Sequence, residues 1–519
     1  METRAPRAPA YGRRAMAVTG HSASSLAAIR IFEQGGNVVD AMIAASAATA
    51  AVLGHAAGIG GDCFLIYHEA ASGRTHGLNA SGTAPALAEP SRFEGGMKAH
   101  GPLAPVVPGL VRAWDVMHRR FGRHSWRRLF DAAIDLADAH PVSQVAATRA
   151  LVQKDELAGD PGCAGLYLPG GAPIGTGAIL HQPALATTLR TIAEEGADAF
   201  YRGAIAQRID AFFAARGGLM RASDLAAYQP LWAEPIAAEY RGHRVHAMPP
   251  NSCGALMLMQ LEGLCAVESA ALAADPARRM GYQMSAMKAA FAAGVPSIAD
   301  PAAVPDAAGR LFSPETRAYM RAAVLERGGP NPGPDSGGTS CLILADAEGN
   351  AISLVQSIFN VFGAALLDPE TGILFNNRMQ SFAHQPGKPN SVAPRKRPAH
   401  TLCPVMVLRD GRMRFAMATP GGLSQTLTNV QVLSNLLDCG LDVQASVEAP
   451  RWCNTRTGDF LMEREFPESM VADLAAMGHK ATRRDDGYFY GSAKAIELLP
   501  SGALAGGADF RREGFALGW

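Results

Sequence analysis

The stretch SCLILADAEGNAISLVQSIF, Ser340 to Phe359, limits the folds open to this chain more than any other. Two β-like runs rich in Val, Ile and Leu flank the tight turn DAEGN, which is a hairpin pattern. Further strand-like runs follow in TLCPVMVLRDG and RFAMAT, and a helical pattern returns in TLTNVQVLSNLLDCG. Paired strands flanked by helices predict a sheet covered by helices, an α/β sandwich with antiparallel strands.

The run ERGGPNPGPDSGG, Glu326 to Gly338, is the strongest boundary in the chain. It is rich in Gly and Pro with few apolar side chains, the composition of an exposed connecting segment. Upstream, SASSLAAIRIFEQGGN reads as an amphipathic helix capped by serine and stopped at Gly35-Gly36. VVDAMIAASAATAAVLG is a second helix, apolar on nearly every side and therefore buried. CFLIYHEAASGRTHGLNAS reads as a hairpin turning at Ser72-Gly73. Helical patterns dominate from Val111 to Phe213. YRGHRVHAMPP is a short strand, followed by the helix GALMLMQLEGLCAV.

Composition narrows the function classes. The 519 residues are 48% apolar and 18% charged, enough for one large domain or two to three smaller ones. With 47 basic and 47 acidic residues there is no surplus to attract nucleic acid. Eight cysteines without a Cys-x-x-Cys pair predict reduced, mostly buried thiols. The start, METRAPRAPAYGRRAMAV, lacks the apolar core of a signal peptide, and Arg13-Arg14 lacks the run of a twin-arginine signal, so a cytoplasmic location is expected. Ala41 to Gly61 carries no Asp, Glu, Lys or Arg. It is mostly Ala and Gly and is interrupted by His55, which predicts a buried helix running into a glycine loop and no membrane span.

Common catalytic signatures are missing: His-Glu-x-x-His, a phosphate-binding Gly-x-x-x-x-Gly-Lys-Ser/Thr and a Gly-x-Ser-x-Gly elbow. GIGGD, Gly58 to Asp62, reads as tight backbone passage. The His243/His246 pair has no Cys or carboxylate partner nearby, so neither a metal nor a cofactor is expected. What remains is Gly338-Thr339 at the mouth of the first hairpin strand. A threonine hydroxyl needs a base, and an N-terminal threonine carries one in its own α-amine, which titrates near pH 8. That requires cutting the chain before Thr339, where Gly338 leaves its carbonyl open to the hydroxyl. A Gly-Gly-Thr before a strand is also ordinary turn chemistry, and spacing alone does not separate the two.

Ordered motifs along nearly the whole chain then bear on the choice: GGNVVDAMIAA, GIGGDCFLIY, LNASGTAP, VPGLVRAW, FAAGVPSIADP, TSCLILADAEGNAISLVQS, TGILFNNRMQSF, KRPAHTLCP, ATPGG, EAPRW and GADFRREGFALGW. In these the chain resembles the γ-glutamyltransferase family. The resemblance implies an N-terminal-nucleophile hydrolase fold, two stacked antiparallel sheets between helices. It also implies a precursor that cuts itself between Gly338 and Thr339 by attack of the Thr339 hydroxyl. The products would be a large subunit, 1–338, and a small subunit, 339–519, which stay associated as one composite unit; a homodimer of such heterodimers is compatible with the sequence. Ser357 falls where typical members carry a second threonine, and would orient the Thr339 amine. Gly421 and Gly422 would offer backbone N–H groups to an oxyanion.

The substrate-reading positions depart from the family pattern. Ser81 stands where an arginine is typical, Phe359 where an asparagine is, and Arg378 and Ser381 where a glutamine and an aspartate are. His400-Thr401 replace a serine pair, and the segment from Phe382 to Arg397 is short, so a lid loop is expected to be missing. A γ-glutamyl group would bring an α-ammonium to a site that has exchanged its aspartate for Arg378, an expensive burial. Arg378 suits a carboxylate on an acyl group without an amine, unless it is a solvated or structural arginine. The expectation is an amidohydrolase for a small-molecule amide, of the oxamate or glutaryl type, with Phe359 narrowing the pocket. A γ-glutamyl hydrolase and an unprocessed binding protein are the competing readings.

Overall fold

The computed structural model describes residues 7–326, 338–455, 458–484 and 487–519. Between its two ends, the connecting run from Glu326 to Gly338 lies outside the described residues. The opening hairpin forms as the sequence requires. Its strands, Gly338–Asp346 and Ala351–Phe359, are buried at every position. In the turn, the Asp346 carboxylate accepts the N–H groups of Glu348 and Asn350, both at 3.0 Å, and Gly349 takes a φ of 91°.

Fourteen strands make two seven-stranded sheets. In chain order they are β1 Ala10–Gly12, β2 Ala15–Thr19, β3 Asp62–Glu69, β4 Arg74–Ala80, β5 Leu231–Ala233, β6 Ile236–Tyr240 and β7 His243–Ala247. After the connecting run come β8 Gly338–Asp346, β9 Ala351–Phe359, β10 Val405–Arg409, β11 Arg412–Ala418, β12 Lys494–Leu498, β13 Leu504–Ala508 and β14 Phe515–Gly518. The first sheet runs β14-β2-β8-β9-β3-β4-β5 and the second β1-β13-β12-β11-β10-β7-β6. All their pairings are antiparallel. Each sheet draws strands from both sides of Gly338.

Side-chain alternation sorts these strands into layers. On one face of the first sheet Val18, Phe64, Ile66, Cys341, Ile343 and Val355 meet Met406, Ala416 and Ile496 of the second sheet. On its other face Leu65, Leu342, Leu344, Ile352 and Leu354 meet helices that include Val38–Val52, Leu110–Phe121 and Pro183–Glu195. The second sheet is covered by Gly254–Leu264, Pro276–Gly294 and Ser424–Leu437. The fold is therefore the expected αββα sandwich.

The stretch without acidic or basic residues resolves as expected. Val38–Val52 is a helix buried at every position, opened by an Asn37–Asp40 capping box. Among the described residues no helix is long and apolar enough to cross a membrane. Six of the eight cysteines are buried, and no disulfide joins them among the described residues. The first helix, Ser22–Glu33, differs in its cap: the His21 ring accepts the Ala23 N–H, and no serine does. Ser24 and Ser25 are engaged elsewhere, Ser24 with Thr49 at 2.9 Å and Ser25 with Thr19 at 2.8 Å.

The glycines of GIGGD allow close backbone passage. A Cβ on Gly60 would lie 2.2 Å from the Leu374 carbonyl oxygen, and one on Gly61 would lie 2.2 Å from that of Ser357. Gly61→Ala must therefore displace strand β9, with an expected loss of about 1–3 kcal/mol in denaturant melts from overpacking. Gly175→Ala, where nothing lies within 4 Å of the added methyl, should leave the melt within about 0.5 kcal/mol of wild type.

Candidate active site

Strand register assembles the site. Thr339 of β8 lies opposite Ser357 of β9, and Ser357 lies opposite Asp62 of β3. Cys63 pairs with Ala80, so Ser81, one residue past β4, continues the row. Directly opposed residues project to the same face, here the space between the sheets. The β8–β9 register shifts between Gly338 and Thr339, with Gly338 opposite Phe359. This irregularity turns the Gly338 carbonyl toward the row. A Cβ on Gly338 would sit 2.7 Å from the Val361 nitrogen.

The Ser357 hydroxyl donates to the Gly338 carbonyl at 2.7 Å and accepts the Phe359 N–H at 2.7 Å. Its oxygen is 3.1 Å from Thr339 Oγ1. With its own proton on Gly338, Ser357 is left to accept from the threonine. Phe359 closes this arrangement with a φ of 77°, a costly conformation for a bulky side chain. Gly421 and Gly422, with φ of 133° and 60°, precede the helix Ser424–Leu437. Their carbonyls accept from Ser424 and Gln425, while their own N–H groups have no acceptor among the described residues. Pro420, Thr339, Ser340, His55, Lys494 and Arg512 line a cavity of about 30 Å³, room for about one water.

Beside the hydroxyl pair lies a buried charge cluster. Arg378 Nη2 is 3.1 Å from Asp62 Oδ1, and His400 Nε2 is 2.8 Å from Asp62 Oδ2, all three side chains fully buried. Burial alone would raise the Asp62 pKa, but Arg378 and His400 hold it down at about 2. Burial, then the Arg378 charge, push His400 down to about 4. His400 Nδ1 accepts the Leu402 N–H at 3.3 Å, so the neutral ring donates from Nε2 to Asp62. The Arg378 guanidinium lies 4.4 Å from the Phe359 ring centre, while its Nε and Nη1 have no partner among the described residues.

This arrangement corrects one sequence expectation. With Ser381 at the aspartate position the sequence reading left this part of the site without an anion; Asp62 supplies one from strand β3 and pairs with Arg378. Asp62 is the functional candidate that motif reading passed over. Its signal was available: an acid directly after the glycine loop, opening a strand whose next five residues, Cys63 to Tyr67, are apolar or aromatic. The remaining expected residues are placed as follows. Ser81 Oγ donates to Asn79 at 2.7 Å and accepts from Asn251 at 3.1 Å. Ser381 Oγ is buried without a partner among the described residues. Thr401 offers its carbonyl to Cys253 Sγ at 3.1 Å. His243 and His246 are three residues apart on one strand and so point to opposite faces. Among the described residues no cluster of three or more metal-ligating side chains occurs.

The model of the family described as Gamma-glutamyltranspeptidase matches residues 24–519. The chain belongs to that family. Family relatives include the Acylase ACY 1 proenzyme of Pseudomonas sp. (strain SE83), 34% identical over 98% of this chain and 94% of that protein. Another is the oxamate amidohydrolase proenzyme of Klebsiella pneumoniae, 32% identical over 97% of this chain and 98% of that one. Among solved structures, cephalosporin acylase from Bacillus halodurans superposes with a TM-score of 0.94 at 30% identity, covering 100% of this chain and 98% of the other. The chain is thus an enzyme of the N-terminal-nucleophile hydrolase class, in the company of acylases and amidohydrolases.

The charge cluster has consequences for stability. His400 refuses a proton in the folded state between its ordinary 6.5 and about 4, and so do His55 and His246. The unfolded chain binds protons across that window and the folded chain does not. Stability is therefore full above pH 6.5 and is lost as pH falls through 4, with Asp62 adding a further loss between 3.8 and about 2. In denaturant melts at pH 7 and pH 5, His400→Gln should reduce this acid loss by about one proton, or roughly 1.4 kcal/mol per pH unit inside the window. Asp62→Ala strands the Arg378 charge and should cost about 3–5 kcal/mol at pH 7.

Proposed function

We propose that the chain is a self-processing threonine amidohydrolase acting on amides of a small carboxylate-bearing acyl group. The contact that carries this reading is the Ser357 hydroxyl, hydrogen-bonded at once to the Gly338 carbonyl and within 3.1 Å of Thr339 Oγ1. It polarises the carbonyl that the threonine would attack and can relay the threonine's proton, passing its own on as it accepts that one. Attack forms the Thr339 Oγ1–Gly338 carbon bond. The Gly338–Thr339 amide then breaks, its nitrogen gaining the proton. Water hydrolyses the ester, leaving a Gly338 carboxylate and a free Thr339 hydroxyl and amine.

The freed α-amine then serves as base. It accepts the hydroxyl proton as Oγ1 attacks the substrate amide, and passes it to the departing nitrogen. The unused N–H groups of Gly421 and Gly422 suit the oxyanion. The water-sized cavity against Thr339 suits the hydrolytic water that returns the enzyme. The two subunits would remain associated, since each sheet is hydrogen-bonded from strands on both sides of the junction.

Arg378 supports a carboxylate-bearing acyl group through its unused Nε and Nη1 donors, with Phe359 against its face. Oxamate or a glutaryl amide meets that description. A γ-glutamyl substrate is the second reading, favoured by the Asp62 carboxylate. Both Asp62 oxygens are already bonded to Arg378 and His400, however, which leaves little for an α-ammonium.

Denaturing electrophoresis of wild type should show fragments 1–338 and 339–519, and Thr339→Ala should stay full length. A cleaved Thr339→Ala chain would refute the nucleophile. With processed enzyme, kcat/KM for oxamate or a glutaryl amide should exceed that for the matching amide without the carboxylate by about 100-fold, near 3 kcal/mol. Arg378→Gln should erase that preference. Equal rates on γ-glutamyl-p-nitroanilide would favour the second reading.

A further inference from the structure

At the end of the sandwich far from Thr339 a cleft of about 580 Å³ opens along the edge formed by β4 and β5 and reaches residues of both sheets. Arg74, which lines it, pairs with Glu69 at the opposite end of β3 from Asp62. Seven residues of strand put it ~23 Å from the catalytic row at ~3.3 Å per residue. Arg74 and His76 come from β4, Arg244 and His246 from β7 of the other sheet, Arg120 from the helix Leu110–Phe121 and Trp232 from β5.

Arg74, Arg120 and Arg244 are exposed along this cleft, and none of them has an ion-pair partner among the described residues. Glu234 is the carboxylate on the lining. Arg120 is held in place by the Trp232 and Phe121 rings, 4.6 and 4.9 Å from its centre. His246 is 8% exposed, and neither ring nitrogen has a hydrogen-bond partner among the described residues. His76 is equally buried; its Nε2 has no hydrogen bond and only the Glu69 carboxylate 3.6 Å away. Burial, then Arg244, hold His246 down at about 4, so the ring is neutral and the positive charge rests on the arginines. Three exposed cations without acidic partners, set beside buried imidazole nitrogens that have no hydrogen bond, make this cleft complementary to an anion.

We propose that this cavity is a second binding site, for a small multiply charged anion with at least two anionic oxygens on a compact scaffold. Arg74 and Arg244 grip it from the two sheets, Arg120 from the side, and His246 donates an N–H from the floor. A phosphate-type anion and a polycarboxylate share this chemistry. The site is separate from the Thr339 centre and does not depend on its reaction.

Isothermal titration of the full chain with inorganic pyrophosphate, and separately with citrate, tests this. Wild type and Thr339→Ala should each show one saturable site per chain for at least one probe at low salt. Saturation by pyrophosphate alone identifies a phosphate-type ligand, by citrate alone a polycarboxylate, and either supports the site. The exposed substitutions Arg74→Gln and Arg244→Gln should each weaken binding at least tenfold, and His246→Ala several-fold. Absence of saturable binding by both probes, unchanged affinity in both arginine variants, or loss of binding in Thr339→Ala would overturn it.

Discussion

The register of strand β9 is the constraint from which the candidate site follows. A slip of one residue would turn Ser357 from the space between the sheets to the helical face and carry Gln356 inward. Both faces resist that slip. Toward the second sheet, Ser353 Oγ donates to the Met417 carbonyl at 2.9 Å. Toward the helices, Gln356 Nε2 donates to the Ala57 carbonyl at 2.7 Å while its oxygen accepts from Ser46. These polar contacts are satisfied only in one register, whereas the apolar residues between them would tolerate exchange. The hydroxyl row thus inherits its precision from neighbours that do no chemistry.

The Asp62–Arg378–His400 cluster adds charge to that geometry at a cost. Removing a carboxylate and a guanidinium from water is repaid only when their remaining valences are met. Asp62 meets this condition, with Arg378 and His400 on its two oxygens and the Gly82 N–H at 3.4 Å. Arg378 does not, since Nε and Nη1 stand idle. An unsatisfied donor pair beside a satisfied acceptor would favour electron-rich groups, although the formal charge of the cluster is balanced. This asymmetry supports an acyl carboxylate over an α-ammonium more firmly than net charge would.

The architecture was legible because its signals are local. The two hairpins, the buried helix Val38–Val52 and the covering helices each announce themselves by periodicity and turn residues. Thr339, Ser357, Gly421 and Gly422 stood out as candidates through ordered motifs, and the structure brings Thr339 and Ser357 together. Asp62 was not, because its meaning lies in a cross-strand pairing of residues 295 positions apart, Asp62 with Ser357. The same holds for Arg378: sequence supplies the cation, while its partner comes from a strand before the connecting run. The serine cap expected at Ser22–Glu33 failed for a related reason, since tertiary bonds to Thr19 and Thr49 claim the serines.

The interleaving of strands gives the proposed cut its physical sense. β8 is bound to β9 from Thr339 onward and to β2 from Ile343 onward. Breaking the Gly338–Thr339 bond would release one residue's pairing, Gly338 with Phe359, and leave those ladders whole. The new α-amine would therefore form at the end of a strand whose position is already set, next to a Ser357 hydroxyl already directed at it. A nucleophile on a free loop would pay ordering entropy at every turnover. Here the sheet has met that cost during folding, and cleavage would only expose the base.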